Sequence, residues 1–214
     1  RTLSLFAGLE SRLSRVGLQY SLAFGTLLGA VRHGGLIPQE SDLDVYVGWK
    51  VVQQPAGGQA RILSTRQGIL WLCRTLRHIL RRQTTSRHRF LLLCGGTNAA
   101  RAARAMHAES LTRGEVPLCP NALHVLADPW FDSDRVGYYE EHPAVARLVV
   151  RSRRAGAACL GHWLDIYAAD QVFTKYGGVC KCRWEGIAAR CLSGWDPYLR
   201  AEYGDDYMTP RLSA

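Results

Sequence analysis

No apolar run in this chain is long. The longest, such as Phe90 to Cys94, fall far short of the roughly 20 residues that a membrane-spanning helix needs. No secretory leader is visible, and the chain opens on Arg1 rather than methionine. A targeting segment, an anchor and the compartment are therefore not legible: the secretory pathway would be expected in a eukaryote and the cytoplasm in a bacterium. Lysine is scarce, so nearly all of the positive charge is arginine, and the net charge of +9 favours an anionic partner without choosing among nucleic acid, nucleotide, phosphorylated polymer and lipid surface. The cysteine count is odd, at seven, which excludes a fully paired disulfide framework; one or two disulfides remain open. There is no internal repeat.

What is present suits one substantial domain with a real core: 214 residues, 47% of them hydrophobic and 21% charged. Leu3, Leu5, Phe6, Leu9, Leu13 and Val16 recur at helical spacing and predict an amphipathic helix over residues 2–16, with Gly17 in position to cap it. "LQYSLAF" predicts a strand ending at Gly25. Thr26 to His33 predicts a short helix closed by Gly34-Gly35, and Pro38 marks a turn. "SDLDVYVGW" predicts a second strand, and Leu164-Asp165-Ile166 the centre of another. Near the end, Asp196 is expected to cap a helix that has Pro197 in its first position and ends at Gly204. Between about 50 and 155 lie a helical pattern around Cys73 and Leu76, a strand-like "RFLLLC" and an Ala-rich helix former, but no chemical motif. That stretch reads as an insertion or a variable half-domain within a single domain covering 1–214.

The chemistry concentrates in "AFGTLLGAVRHGGLIPQESDLDVYV", Ala23 to Val47. A glycine at the end of a strand lets backbone approach a ligand closely. A helix starting there aims unpaired N–H groups at the same point, and Thr26 adds a hydroxyl, so Gly25 and Thr26 are candidate phosphate ligands, with a plain turn as the ordinary alternative. Glu40, Asp42 and Asp44 have the i, i+2, i+4 spacing of one strand face, with Leu43 and Val45 on the other. Three acids on one face repel one another and suit a divalent cation such as Mg²⁺ or Mn²⁺; an exposed edge of solvated acids is the alternative. Phosphate at a helix N-terminus beside a metal held by carboxylates is the layout a phosphoryl-transfer centre needs.

"GTLLGAVRHGGLIP" followed by "SDLDVYV" resembles the signature of the LicD family, which includes the fukutin and fukutin-related proteins. "HWLDIYAAD" resembles the later strand of that family, and "KCRWEGIAARCLSGWDPYLRAEYGDDYMTP" its closing segment, so the resemblance covers residues 1–48 and about 158–210. It implies an α/β (α+β) nucleotidyltransferase-like core, a small mixed sheet flanked by helices. It further implies metal-dependent transfer of a phospho-alcohol, phosphocholine or ribitol phosphate, from a CDP-activated donor to a sugar or glycan hydroxyl. On that resemblance Asp42, Asp44 and Asp165 hold the metal, with Glu40 as a further candidate. Gly25, Thr26 and Arg32 then face the donor phosphates, although Arg32 equally suits a helix-terminal cation. Gln39 and Glu40 depart from the tryptophan and aspartate that relatives often carry.

Other readings stay open. Cys180 and Cys182, with Cys191 and either Cys159 or His162, are candidates for zinc or for a disulfide, with unpaired cysteines as the ordinary alternative, since Cys-x-Cys is not the usual zinc-ribbon spacing. The basic stretches "RHILRRQTTSRHR" and "RSRR" lack the interleaved aromatics of a nucleic-acid platform and fit solvated faces better. Nucleotidyl transfer to RNA or to a small molecule, and a catalytically inactive scaffold, share the same acidic core.

Overall fold

The structure, a computed structural model, describes residues 2–15, 18–38, 40, 42–48, 51–52, 61–62, 71, 73–78, 88–94, 104–105, 107–109, 111–112, 144–152 and 163–210. Helix α1, Thr2–Arg15, buries Phe6, Leu9 and Leu13, the stripe its periodicity predicts. Phe6 meets Trp184 edge-on at 5.1 Å between ring centroids and Tyr20 at 6.3 Å, which fixes α1 against the core. Strand β1, Tyr20–Leu22, is buried throughout. Helix α2, Phe24–His33, starts two residues earlier than its sequence suggests. Gly17 lies outside the described residues.

Five strands form the main sheet in the order β1-β2-β7-β6-β5, where β2 is Asp42–Val47, β5 His88–Cys94, β6 Ala144–Ser152 and β7 Trp163–Ala168. The β2–β7 pair is parallel and the other pairs are antiparallel, which makes the sheet mixed. Mixed sheet and flanking helices give the expected α/β class. Strands β5 and β6 come from within 50–155, so part of the stretch without a motif builds the far side of the central sheet. Two-residue strands β3, Val51–Val52, and β4, Arg61–Ile62, pair separately. Residues 73–78 are helical, with Cys73 and Leu76 buried and Arg74 and Arg77 exposed, as that segment's pattern predicts. Among the described residues no helix is long and apolar enough to cross a membrane.

Helix α3, Asp170–Lys175, leads into a hairpin of β8, Val179–Trp184, and β9, Ile187–Leu192. Its two-residue turn has Glu185 at φ 52° and Gly186 at φ 74°, the paired positive angles that match hairpin twist. The Cys182–Cys191 disulfide staples the two strands, and Cys180 is free and exposed. The hairpin tip grips the end of α2: Glu185 N–H donates to the Gly34 carbonyl (2.8 Å), and Leu36 N–H donates to Glu185 Oε1 (2.8 Å). Here the double glycine is explained. Gly34 adopts φ 70° as the C-cap, and Gly35 leaves room for the Glu185 carboxylate that a Cβ would strike.

Helix α4, Trp195–Tyr203, ends at Gly204 as expected, but Asp196 does not cap it. The N-cap is Gly194, whose N–H donates to the Tyr176 carbonyl at 2.8 Å. The Asp196 carboxylate is instead engaged by Tyr207 and Arg200. Pro197 accordingly sits in the third helical position rather than the first.

A Cβ at Gly29 would collide with the backbone carbonyl of Gly35, which cannot swing away as a side-chain end could. Gly29→Ala is therefore expected to cost about 1–3 kcal/mol of stability, read as a lower urea midpoint with unchanged slope. An unchanged midpoint would show that the α2 closing turn packs less tightly than described.

Candidate functional site

Parallel pairing of β2 with β7 sets Asp44 beside Asp165 and Asp42 beside Trp163. Asp42 and Asp44 share one face of β2, while Leu43 and Val45 are fully buried on the other. One carboxylate oxygen from each of Asp42, Asp44 and Asp165 lies within 4.8 Å of the others. Among the described residues no other group of His, Cys, Asp or Glu side chains converges in this way.

Asp44 is held at both backbone poles. Its N–H donates to Thr26 Oγ1 (2.8 Å), and its carbonyl accepts from Ala23 N–H (3.0 Å). Both partners belong to the elbow between β1 and α2, where Phe24 adopts φ 41°, a value bulky residues rarely take. Thr26, 1% exposed, thus spends its oxygen lone pair on positioning Asp44. Gly25 opens space, and the Glu40 carboxylate lies where its Cβ would be.

Glu40 requires a correction. The sequence places it on the strand face with the two aspartates, but β2 begins at Asp42, and Glu40 N–H closes a turn onto the Ile37 carbonyl at 3.0 Å. Glu40 therefore borders the triad from the mouth of α2 rather than joining it. Gln39 lies outside the described residues. Arg32 reaches the same side: its charge opposes the rise in the Glu40 pKa, while Nη1 donates to the Tyr207 carbonyl (3.0 Å) and Nε to His33 Nε2 (3.2 Å).

Burial and crowding raise two of these carboxyl groups. Burial, then the charges of Asp165, Asp42 and Glu40, push the Asp44 carboxyl well above the ordinary carboxylate range, against a hydrogen bond from the Tyr167 hydroxyl. Burial, then Asp42, raise Glu40 as well. Two tyrosines missed by the sequence reading belong here. Tyr167 is two residues beyond Asp165 on the same strand, a spacing that signals a shared face. Tyr203, at the end of α4, is raised by burial and then by the charges of Asp44 and Glu40; nothing local in the sequence marks its reach.

Among the described residues no cysteine joins the triad. Cys182 and Cys191 are joined to each other rather than offering two thiolates to zinc, Cys180 is a free thiol, and Cys159 and His162 lie outside the described residues.

With this geometry in hand, residues 17–95 match the family model described as LicD/FKTN/FKRP, nucleotidyltransferase domain. Over this stretch the chain is similar to the LicD family. The match contains Gly25, Thr26, Arg32, Glu40, Asp42 and Asp44, whereas Asp165 lies beyond it and joins Asp42 and Asp44 through the sheet. A stretch of 33 residues is 54% identical to lipopolysaccharide cholinephosphotransferase LicD of Haemophilus influenzae. That alignment covers 15% of this chain and 12% of the relative's length.

Because folded Asp44 binds its proton more tightly than the unfolded residue, stability contributed by its protonated form is full at the acidic end. It falls as pH rises from about 4 through the raised value. In chelator, Asp44→Asn should melt above wild type at neutral pH, with the difference shrinking toward pH 4. Melting temperatures of the two proteins that run parallel across this window would contradict the assignment.

Proposed function

We propose that the triad is the metal-dependent centre of a transferase that moves a phospho-alcohol, phosphocholine- or ribitol-phosphate-like, from a CDP-activated donor to a sugar or glycan hydroxyl with release of CMP. The observation that carries this reading is the convergence of Asp42, Asp44 and Asp165 beside the N-terminus of α2, with Asp42 and Asp44 inside the stretch that matches the LicD family. The similarity to a bacterial lipopolysaccharide cholinephosphotransferase supports phosphocholine as the group and a glycan as the acceptor.

The residues fit a divalent cation. Three converging oxygen ligands are the donor set that Mg²⁺ or Mn²⁺ takes, and the like-charge crowding that raises Asp44 is relieved by positive charge. When bound, such an ion neutralises charge growing on the pyrophosphate oxygens. The protein's own part is positional. The elbow at Phe24–Thr26 holds Asp44 and presents α2 N–H groups toward an anion, and Arg32 offsets phosphate charge. An acceptor hydroxyl attacks the distal phosphorus in line, its proton passes to a carboxylate, assigned to Asp165, and CMP departs.

Release of CMP from CDP-choline, CDP-ribitol and related donors, with Mg²⁺ or Mn²⁺, tests the reading. One donor should be turned over, and Asp42→Asn or Asp44→Asn should lower the rate by about 10²-fold or more. Undiminished turnover in either variant would remove the triad from catalysis. Turnover of nucleoside triphosphates instead of CDP-alcohols would shift the reading to nucleotidyl transfer.

A further inference from the structure

Tyr207 ties the end of the chain to α2. Its side chain is buried, at 6% exposure, and its hydroxyl donates to Asp196 Oδ1 at 2.7 Å. Asp196 Oδ2 accepts from Arg200 Nε (3.0 Å), and Arg200 Nη1 reaches Asp205 (2.9 Å), with the guanidinium 5.9 Å from the centre of the Tyr207 ring. Tyr207 N–H closes back onto the Gly204 carbonyl at 3.2 Å. This network immobilises the Tyr207 backbone, and the carbonyl so held accepts the Arg32 Nη1 hydrogen bond.

Arg32 is seven residues after Gly25, two turns along the same face of α2. Glu40 links those two points: its carboxylate lies against Gly25, and the positive charge of Arg32 favours its ionised form. A guanidinium is a rigid planar fork with five donors. Fixing Nη1 on Tyr207 and Nε on His33 leaves the remaining donors with a set direction. An arginine in the last turn of a helix without such an anchor samples many rotamers.

We propose that Tyr207 is a positioning residue for the donor diphosphate: its anchored carbonyl fixes the Arg32 guanidinium so that the remaining donors of Arg32 take an anionic oxygen of the donor. This rests on the phosphotransfer reading above. It gives the closing Tyr-Gly-Asp-Asp-Tyr segment a part in substrate binding that acts through α2 rather than by contact with substrate.

Tyr207→Phe and Asp196→Ala each break the anchor, while Asp196→Asn keeps an acceptor for the hydroxyl. Two readouts apply: the Arg32 Nε–H resonance in ¹⁵N–¹H spectra, and the separate KM and kcat for donor and acceptor. In both anchor-breaking variants the Arg32 signal should move to the position of solvent-exposed arginines. Donor KM should rise about tenfold with kcat and acceptor KM nearly constant. Asp196→Asn should resemble wild type, and Tyr207→Phe should add nothing to Arg32→Ala. An unmoved Arg32 signal with unchanged donor KM would overturn the proposal, as would equal loss of kcat in all three variants at Tyr207 and Asp196. If the wild type turns over no CDP-alcohol, the phosphotransfer reading has failed. Titration of the same Arg32 signal with pyrophosphate then decides the inference separately: a shift present in wild type and lost in Tyr207→Phe supports it, and no shift overturns it.

Discussion

The parallel register of β2 on β7 is the constraint on which the rest depends. It forces two carboxylates, Asp44 and Asp165, into neighbouring positions with Asp42 one step along the same face. Two like charges about 4 Å apart repel by about 4 kcal/mol at an effective dielectric of 20. Against this, the opposite face of the same pair buries Leu43, Val45, Leu164 and Ile166 completely, each contributing about 1.5–3 kcal/mol. Burial wins, and a slip of one residue would reverse the faces and drive the acids into the core. The repulsion that remains adds to burial in raising the Asp44 carboxyl.

The helix beside the triad is held at both ends by residues distant in sequence. Its start is bonded to Asp44 itself through Ala23 and Thr26, so the elbow that begins the helix also orients an acid. Its end is gripped by the β8–β9 tip through Glu185 and by the closing segment through the Tyr207 carbonyl. The Cys182–Cys191 disulfide lies in the gripping hairpin, so the cysteines of this region support the site from a distance. The C-terminal third thus shapes a site whose recognisable motif is N-terminal.

Much of this was legible in the sequence where the signal is local. The alternation of Asp42, Leu43, Asp44 and Val45 specifies a two-faced strand, Gly34 marks a helix end, and Asp165 stands within a recognisable strand. Misreadings occurred where local rules compete. Glu40 keeps the i, i+2 spacing, but the turn at Pro38 delays the strand until Asp42. Asp196 has the chemistry of a cap, yet Tyr207 and Arg200 engage its oxygens and Gly194 starts the helix. Long-range placement was not legible at all. Neither the pairing of β6 with β7 and of β5 with β6 nor the reach of Tyr203 toward the acids leaves a periodic trace. The hairpin did leave one, in the Glu-Gly pair between alternating strands.

The most direct test of the central claim is Mn²⁺ binding, followed by electron paramagnetic resonance, in wild type and Asp165→Asn. Asp165 lies outside the matched family segment and reaches the other acids only through strand pairing. One Mn²⁺ site in wild type, weakened or lost in Asp165→Asn, is the predicted result. Equal Mn²⁺ binding by both proteins would contradict the account, because the three carboxylates would then not act as one site.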